Sequence, residues 1–284
     1  MALPRWLAPL ALAGVLGAAS AHAAPPPLAK ARASIASGTV KEYGVASREY
    51  GSTRRVWVYT PAAYSANGPD LNLLLVFDGG EYLDDIPLPA MLDSLIAAKR
   101  LPPTIAVLLD DSSSTARLAD LANHERFARF VAGELVPWAR TRWKIAGDPH
   151  RATVTGSSAG GLASAFVALR HPELFANVVS QSGAFWRGAA GSNAAPFEWL
   201  TSQYAASPKR DLRFFLDVGS TESHGALGGM APSILEANRR LRDVLKSKGY
   251  EVSFTEVPGG RHAAESWKLR LPEGLLWARG TTAP

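Results

Sequence analysis

Arg151–Gly161 reads RATVTGSSAGG, and the fold turns on how that run is divided. Ala152, Val154 and Gly156 alternate as in a short buried strand, while the residues that follow, LASAFVALR, space their apolar positions as a helix does. A sharp turn must separate the two, and Ser158 falls on it. A serine hydroxyl becomes a nucleophile when it is exposed, beside a base and near amide donors. A strained strand-to-helix turn supplies that setting, provided small residues flank it two positions to either side. Gly156-Ser157-Ser158-Ala159-Gly160 meets the requirement with Ser158 at its centre; centring on Ser157 would put β-branched Thr155 where the turn wants glycine.

The first 23 residues read as a secretory signal: Arg5, an apolar core over Leu7–Leu16, then Ala21-His22-Ala23 as a small-x-small cleavage site before Ala24. The apolar run is too short for a stable span, and no later stretch matches it, so the expected mature protein is exported, periplasmic or secreted, without a membrane span. The remaining 261 of 284 residues suit one large α/β domain over 38–284, preceded by a flexible leader at 24–37 that carries three consecutive prolines. The chain has no cysteine, which excludes disulfides, thiolate chemistry and cysteine metal sites. Loss of the signal takes Arg5 and no acid, so the formal charge falls from +5 to +4. That mild, dispersed bias has no basic run interleaved with aromatics, so no nucleic-acid partner is expected.

Strands are expected at Gly38–Ser47, Arg54–Thr60, Leu71–Phe77, Thr104–Leu109, Asn177–Ser180, Leu212–Val218 and Tyr250–Val257. Helices are expected at Ala90–Lys99, at His124–Trp143 with Pro137 kinking or dividing it, at Ser233–Lys248 and at Trp267–Ala278. Ser112–Ala122 is polar and reads as a long loop, and Phe185–Ser207 as an insertion or lid beside the site. Strands alternating with helices predict a mainly parallel sheet with helices on both faces.

In such sheets, sites gather at the carboxyl ends of the strands. His262, in Pro258-Gly259-Gly260-Arg261-His262 directly after the last strand, is placed to take a proton from Ser158 and return it. His224, in the loop that follows Leu212–Val218, is the alternative base. Glu222 in that same loop is the first choice of acid, with Asp217 as runner-up and a Ser/His pair without an acid also open. For the oxyanion, the Ala159 N–H is one expected donor and Gly79 or Gly80 the other, since either glycine lets the backbone approach closely. No histidine pair has the spacing of a helical zinc site, so neither a metal nor another cofactor is expected.

With these pieces placed, the chain resembles the putative-esterase branch of the α/β-hydrolases, and within it the enterochelin esterase family, from about Arg54 to Trp267. The motifs that carry the likeness are Leu75-Val76-Phe77-Asp78-Gly79, Thr155–Leu162, His171-Pro172-Glu173-Leu174-Phe175, and Ser180-Gln181-Ser182-Gly183-Ala184-Phe185-Trp186. Arg117-Leu118-Ala119-Asp120-Leu121 is similar to the family's Arg-x-x-Glu-Leu segment, with Asp in place of Glu. The resemblance implies Ser158 as nucleophile, His262 as base and Glu222 as acid, where related esterases often have Asp. It implies that Arg117 and Trp186 line the substrate pocket; an Arg117–Asp120 ion pair and a core role for Trp186 are the structural alternatives. It implies a small-molecule ester substrate, a catecholate siderophore lactone, ferric or metal-free. The same scaffold also resembles feruloyl and acetyl xylan esterases and mycolyltransferases, so carbohydrate-linked esters and acyl transfer are the other expectations. The cytoplasmic members' separate N-terminal β-domain has no counterpart in the leader, which implies a single-domain exported form. The oligomeric state is open.

Overall fold

Five strands, over residues 72–76, 104–109, 152–157, 177–181 and 213–219, are buried along almost their whole length, which is the signature of a sheet covered on both faces. A computed structural model of the protein describes residues 36–110 and 114–279; the expected signal at 1–23 and nearly all of the leader lie outside them. The described strands are β1 (Thr39–Ser47), β2 (Ser52–Thr60), β3 (Asn72–Val76), β4 (Thr104–Leu109), β5 (Ala152–Ser157), β6 (Asn177–Gln181), β7 (Arg213–Gly219) and β8 (Glu251–Val257). They form one sheet in the order β1-β2-β4-β3-β5-β6-β7-β8. β1 pairs antiparallel with β2 and β2 with β4; every other pairing is parallel.

Side chains alternate between two cores, as a period of two requires. Leu73, Leu75 and Phe77 pack into one with Val154, Leu162, Phe166 and Phe214, while Leu74 and Val76 pack into the other with Leu92, Phe215 and Leu271. The second core is closed by α1 (Glu81–Asp84), α2 (Leu88–Ala97) and α9 (Ala264–Ala278). The first is closed by the helical run of α4 (Glu125–Phe130) and α5 (Val136–Arg140) and by α6 (Ala159–Arg170), α7 (Trp199–Ala206) and α8 (Ile234–Ser247). Helix α8 opens with a capping box: the Ser233 hydroxyl accepts from Glu236 N–H, and the Glu236 carboxylate accepts from Ser233 N–H.

Three sequence expectations change. Within the expected loop at Ser112–Ala122, Ser114–Leu121 is helix α3, and its Asp120 pairs with Arg54 of β2 at 2.6 Å, both side chains buried. Arg117 pairs with Asp78. Pro137, which has no N–H to offer, is accommodated by a π-turn at Val131–Leu135 inside a continuous helical run, not by a break. The Phe185–Ser207 stretch, expected as an insertion or lid beside the site, joins the core at both ends: Phe185 and Trp186 are buried, and α7 buries Leu200 and Tyr204, whose hydroxyl donates to Ala165 O at 2.7 Å.

Registers set the carboxyl ends of four strands side by side. Ser157 of β5 lies opposite Gln181 of β6, Gln181 opposite Asp217 of β7, and Gly219 of β7 opposite Val257 of β8. The segments that follow these strands carry Ser158, Ser182, Glu222 and His262.

Candidate active site

Ser158 joins β5 to α6 with φ 55° and ψ −116°, a conformation rare for a non-glycine residue. The turn closes because its flanks are glycine: a Cβ on Gly156 would lie 2.6 Å from the Gly160 carbonyl carbon. The Ser158 N–H donates to Gln181 O at 2.8 Å, and its carbonyl accepts from Ala184 N–H at 2.9 Å, so β6 and its following turn brace the bend.

The structure brings Ser158, His262 and Glu222 together. His262 Nε2 is 2.9 Å from Ser158 Oγ, and His262 Nδ1 is 2.6 Å from Glu222 Oε2. An ionised carboxylate accepts only, so Nδ1 carries the proton and Nε2 presents its lone pair to the serine. The other Glu222 oxygen, Oε1, accepts from Gly219 N–H at 2.8 Å and from Ser182 Oγ at 2.6 Å. The loop bearing His262 is tied to the loop bearing Glu222, with Thr221 Oγ1 donating to Gly260 O at 2.5 Å and Gly259 N–H to Ser220 Oγ at 2.9 Å. Asp217 faces neither the histidine nor the cleft. It is buried within β7, accepts from Gln181 Nε2 at 3.2 Å, and burial pushes its carboxyl up to about 7. His224 is exposed.

Of the two glycines expected to serve an oxyanion, Gly79 is already engaged: its N–H donates to Leu109 O at 2.8 Å, inside the packing against β4. Gly80 lines the cleft, and among the described residues neither its N–H nor that of Ala159, at the start of α6, has an intramolecular acceptor.

Ser158 opens into a cleft of about 390 Å³ lined by Asp78, Gly80, Glu81, Asp110, Arg117, Ser157, His262 and Trp267. Its charges are largely matched. Arg117 grips Asp78 with two bonds of 2.5 and 2.6 Å, and Arg55 holds Asp110 Oδ2 from Nε at 2.7 Å. Glu81 accepts from Ser157 Oγ at 2.7 Å; burial raises its carboxyl above the usual range, and the Ser157 bond partly opposes that. Arg117 thus lines this cleft. Trp186 does not line this cleft; it is 7% exposed within the core, beneath the Arg187 guanidinium.

The aromatic residue at the cleft is Trp267, whose ring meets His262 edge to face at a centroid distance of 5.1 Å. Sequence reasoning read Trp267 only as the start of the last helix and missed Glu81 and Ser182. The available signals were local: Glu81 follows Asp78-Gly79-Gly80, Ser182 sits within the Ser180–Trp186 motif, and Trp267 comes one helical turn after His262. Among the described residues there is no grouping of three or more His, Asp or Glu side chains suited to a metal ion, and no helix long and apolar enough to cross a membrane.

The Putative esterase family model matches residues 47–278. The chain is 31% identical over 228 residues to an iron(III) enterobactin esterase of Escherichia coli O6:H1, an alignment covering 79% of this chain and 53% of that protein. It thus spans about half the length of the curated relative. It superposes on the enterobactin esterase of Shigella flexneri, solved in the presence of enterobactin, with a TM-score of 0.73 at 27% identity, covering 84% of this chain and 57–59% of such structures. A ferulic acid esterase has the same fold, with a TM-score of 0.71 at 16% identity, covering 86% of this chain and 98% of that one. The eight-stranded, mostly parallel sheet with helices on both faces is that of the α/β-hydrolases.

Proposed function

This chain belongs to the Putative esterase family, and we propose that it is a serine carboxylic-ester hydrolase working through an acyl-enzyme on Ser158. The observation that carries the reading is the unbroken line of hydrogen bonds from Glu222 through His262 to a strained, cleft-facing serine. As Ser158 Oγ bonds to the ester carbon, its proton passes to His262 Nε2, and the imidazolium so formed is stabilised by Glu222. The carbonyl oxygen takes the displaced electron pair and is held by the N–H groups of Ala159 and Gly80. The C–O bond to the alcohol then breaks, and His262 gives its proton to the departing oxygen. Water repeats the sequence: His262 takes a proton from it as its oxygen attacks the acyl carbon, and Ser158 leaves protonated with release of the acid.

The substrate we assign is an enterobactin-like catecholate siderophore ester. Support comes from the names of the E. coli and S. flexneri relatives and from the motifs at Thr155–Leu162 and Ser180–Trp186. Export is part of the same reading, supported by Arg5, the apolar run Leu7–Leu16 and Ala21-His22-Ala23; a mature N-terminus at Ala24 tests it. The substrate is tested by incubating wild type and Ser158→Ala with enterobactin, a feruloylated xylo-oligosaccharide and p-nitrophenyl acetate, and following product masses with and without an acceptor sugar. The expected result is stepwise cleavage of the trilactone by wild type only. Cleavage confined to the sugar ester, or transfer of the acyl group to the sugar, would replace the siderophore reading.

A further inference from the structure

The segment Ser180-Gln181-Ser182 has no part in the bond-making steps, yet it connects three pieces of the site. Ser182 follows β6 with φ 47°, a left-handed conformation unfavourable for a side chain larger than hydrogen, and it is 1% exposed. Its N–H donates to Asp217 O at 2.7 Å, which fixes the backbone in that position. The side chain lies between Trp267 Nε1, at 3.0 Å, and Glu222 Oε1, at 2.6 Å. Chemistry leaves only one direction for these bonds. An indole nitrogen only donates and a carboxylate only accepts, so the Ser182 oxygen accepts from Trp267 and its own hydrogen points to Glu222.

The residue before it completes the attachment, because Gln181 Nε2 donates to the Trp267 carbonyl at 2.8 Å. Trp267 is therefore held at its backbone by Gln181 and at its indole by Ser182, and its ring packs near-perpendicular to that of His262. One end of the chain of contacts reaches the imidazole through the carboxylate; the other reaches it through the ring.

From this geometry we propose that Ser182 is a positioning residue of the esterase site, acting through Glu222 and Trp267. With Ser182 and Gly219 both donating to Oε1, Glu222 cannot rotate to exchange its oxygens, and Oε2 is left for His262 Nδ1–H. The inference rests on the esterase reading above, and it gives the Ser180–Trp186 motif a physical task. Bonds that hold a triad acid in place act on the transition state and not on substrate binding, so their loss falls on kcat.

The test compares wild type, Ser182→Ala, Trp267→Phe, the double variant and Ser158→Ala with p-nitrophenyl acetate. Alongside turnover, the rate at which a fluorophosphonate labels Ser158 is followed by intact mass, which reads activation of the serine without reference to the natural substrate. Ser182→Ala is expected to lower kcat and the labelling rate together, on the order of 10- to 100-fold, with KM changed by less than about two-fold. Trp267→Phe keeps the ring and removes the N–H, and is expected to lower kcat by a smaller factor. The double variant should be no slower than Ser182→Ala, because both changes break one connected unit. A kcat unchanged in a folded Ser182→Ala, a loss appearing in KM, or losses that multiply in the double variant would each overturn the proposal. Should Ser182→Ala fail to fold, Trp267→Phe decides alone: a kcat loss at constant KM supports it and none refutes it. Full turnover by Ser158→Ala would instead sink the acyl-enzyme reading of Ser158 on which the proposal rests.

Discussion

Glu222 Oε2 lies 2.6 Å from His262 Nδ1 across 40 residues of sequence, and that contact separates two carboxylates that sequence alone leaves in competition. Asp217, five residues earlier, is buried in β7 and bonded to Gln181. Replacing Glu222 by Gln removes the charge that stabilises the imidazolium and disturbs the tautomer, so kcat should fall roughly 10³- to 10⁴-fold. Asp217→Asn, at pH 7, should leave kcat within about three-fold of wild type. Ester hydrolysis by the two purified variants checks this, and the reverse ranking would return Asp217 to the acid role.

Asp217 should also set a pH dependence of stability. Burial raises its carboxyl from 3.8 to about 7 in the folded protein, with Glu222 and Glu273 acting in the same direction and Gln181 and Arg270 against it. Between those values the folded state holds a proton that the unfolded chain has released. The group's contribution is therefore full below the unfolded value and is lost as pH rises through the folded one. Asp217→Asn cannot titrate, so its stability relative to wild type should rise by up to roughly 4 kcal/mol between pH 4 and pH 8. Urea unfolding at both pH values measures it; parallel pH profiles for the two proteins would contradict it.

Gly79 and Gly80 should respond differently to a methyl group. A Cβ on Gly79 would lie 2.9 Å from the Leu108 carbonyl carbon, within the packing against β4, whereas one on Gly80 would come no nearer than 3.7 Å, to Asp110 Oδ1. Gly80 also has an ordinary helical backbone, with φ −61° and ψ −46°. Gly79→Ala is expected to cost about 1–3 kcal/mol, and Gly80→Ala less than about 0.5 kcal/mol. Denaturant midpoints distinguish the two, and equal costs would contradict the assignment of Gly79 to packing.

The Arg54–Asp120 pair should matter mainly when broken on one side. Both side chains are buried, and Arg54 stacks over Tyr50 at 4.5 Å. Asp120→Ala leaves the guanidinium charge buried and unpaired, which should destabilise the protein by about 3–5 kcal/mol. A loss below about 1 kcal/mol would show that water reaches Arg54 in the variant.

What the sequence made legible was what short-range sterics dictate. The glycines around Ser158 identify the turn because a side chain there has no room, and His262 and Glu222 were found because they follow apolar strands, where loops converge. The acid stayed open between two residues since the choice depends on where β7 ends relative to β8. Gly79 and Gly80 could not be told apart because the distinction is a single bond to Leu109. Ser182 and Trp267 were missed as site residues since their contact spans 85 positions and leaves no periodicity. Helix α3 was hidden for a similar reason: it is only eight residues long and is held by Arg54 from a distant strand. The tryptophan at the cleft proved to be Trp267, while Trp186 sits in the core.

The central claim is that Ser158 carries the acyl group. Its most direct test is rapid mixing of the protein with p-nitrophenyl acetate, quenching in acid, and mapping the added mass by peptide sequencing. An acetyl group is expected on Ser158, formed in a burst of p-nitrophenol and absent from Ser158→Ala. Acetylation of another residue, or steady turnover by Ser158→Ala with no adduct, would contradict it.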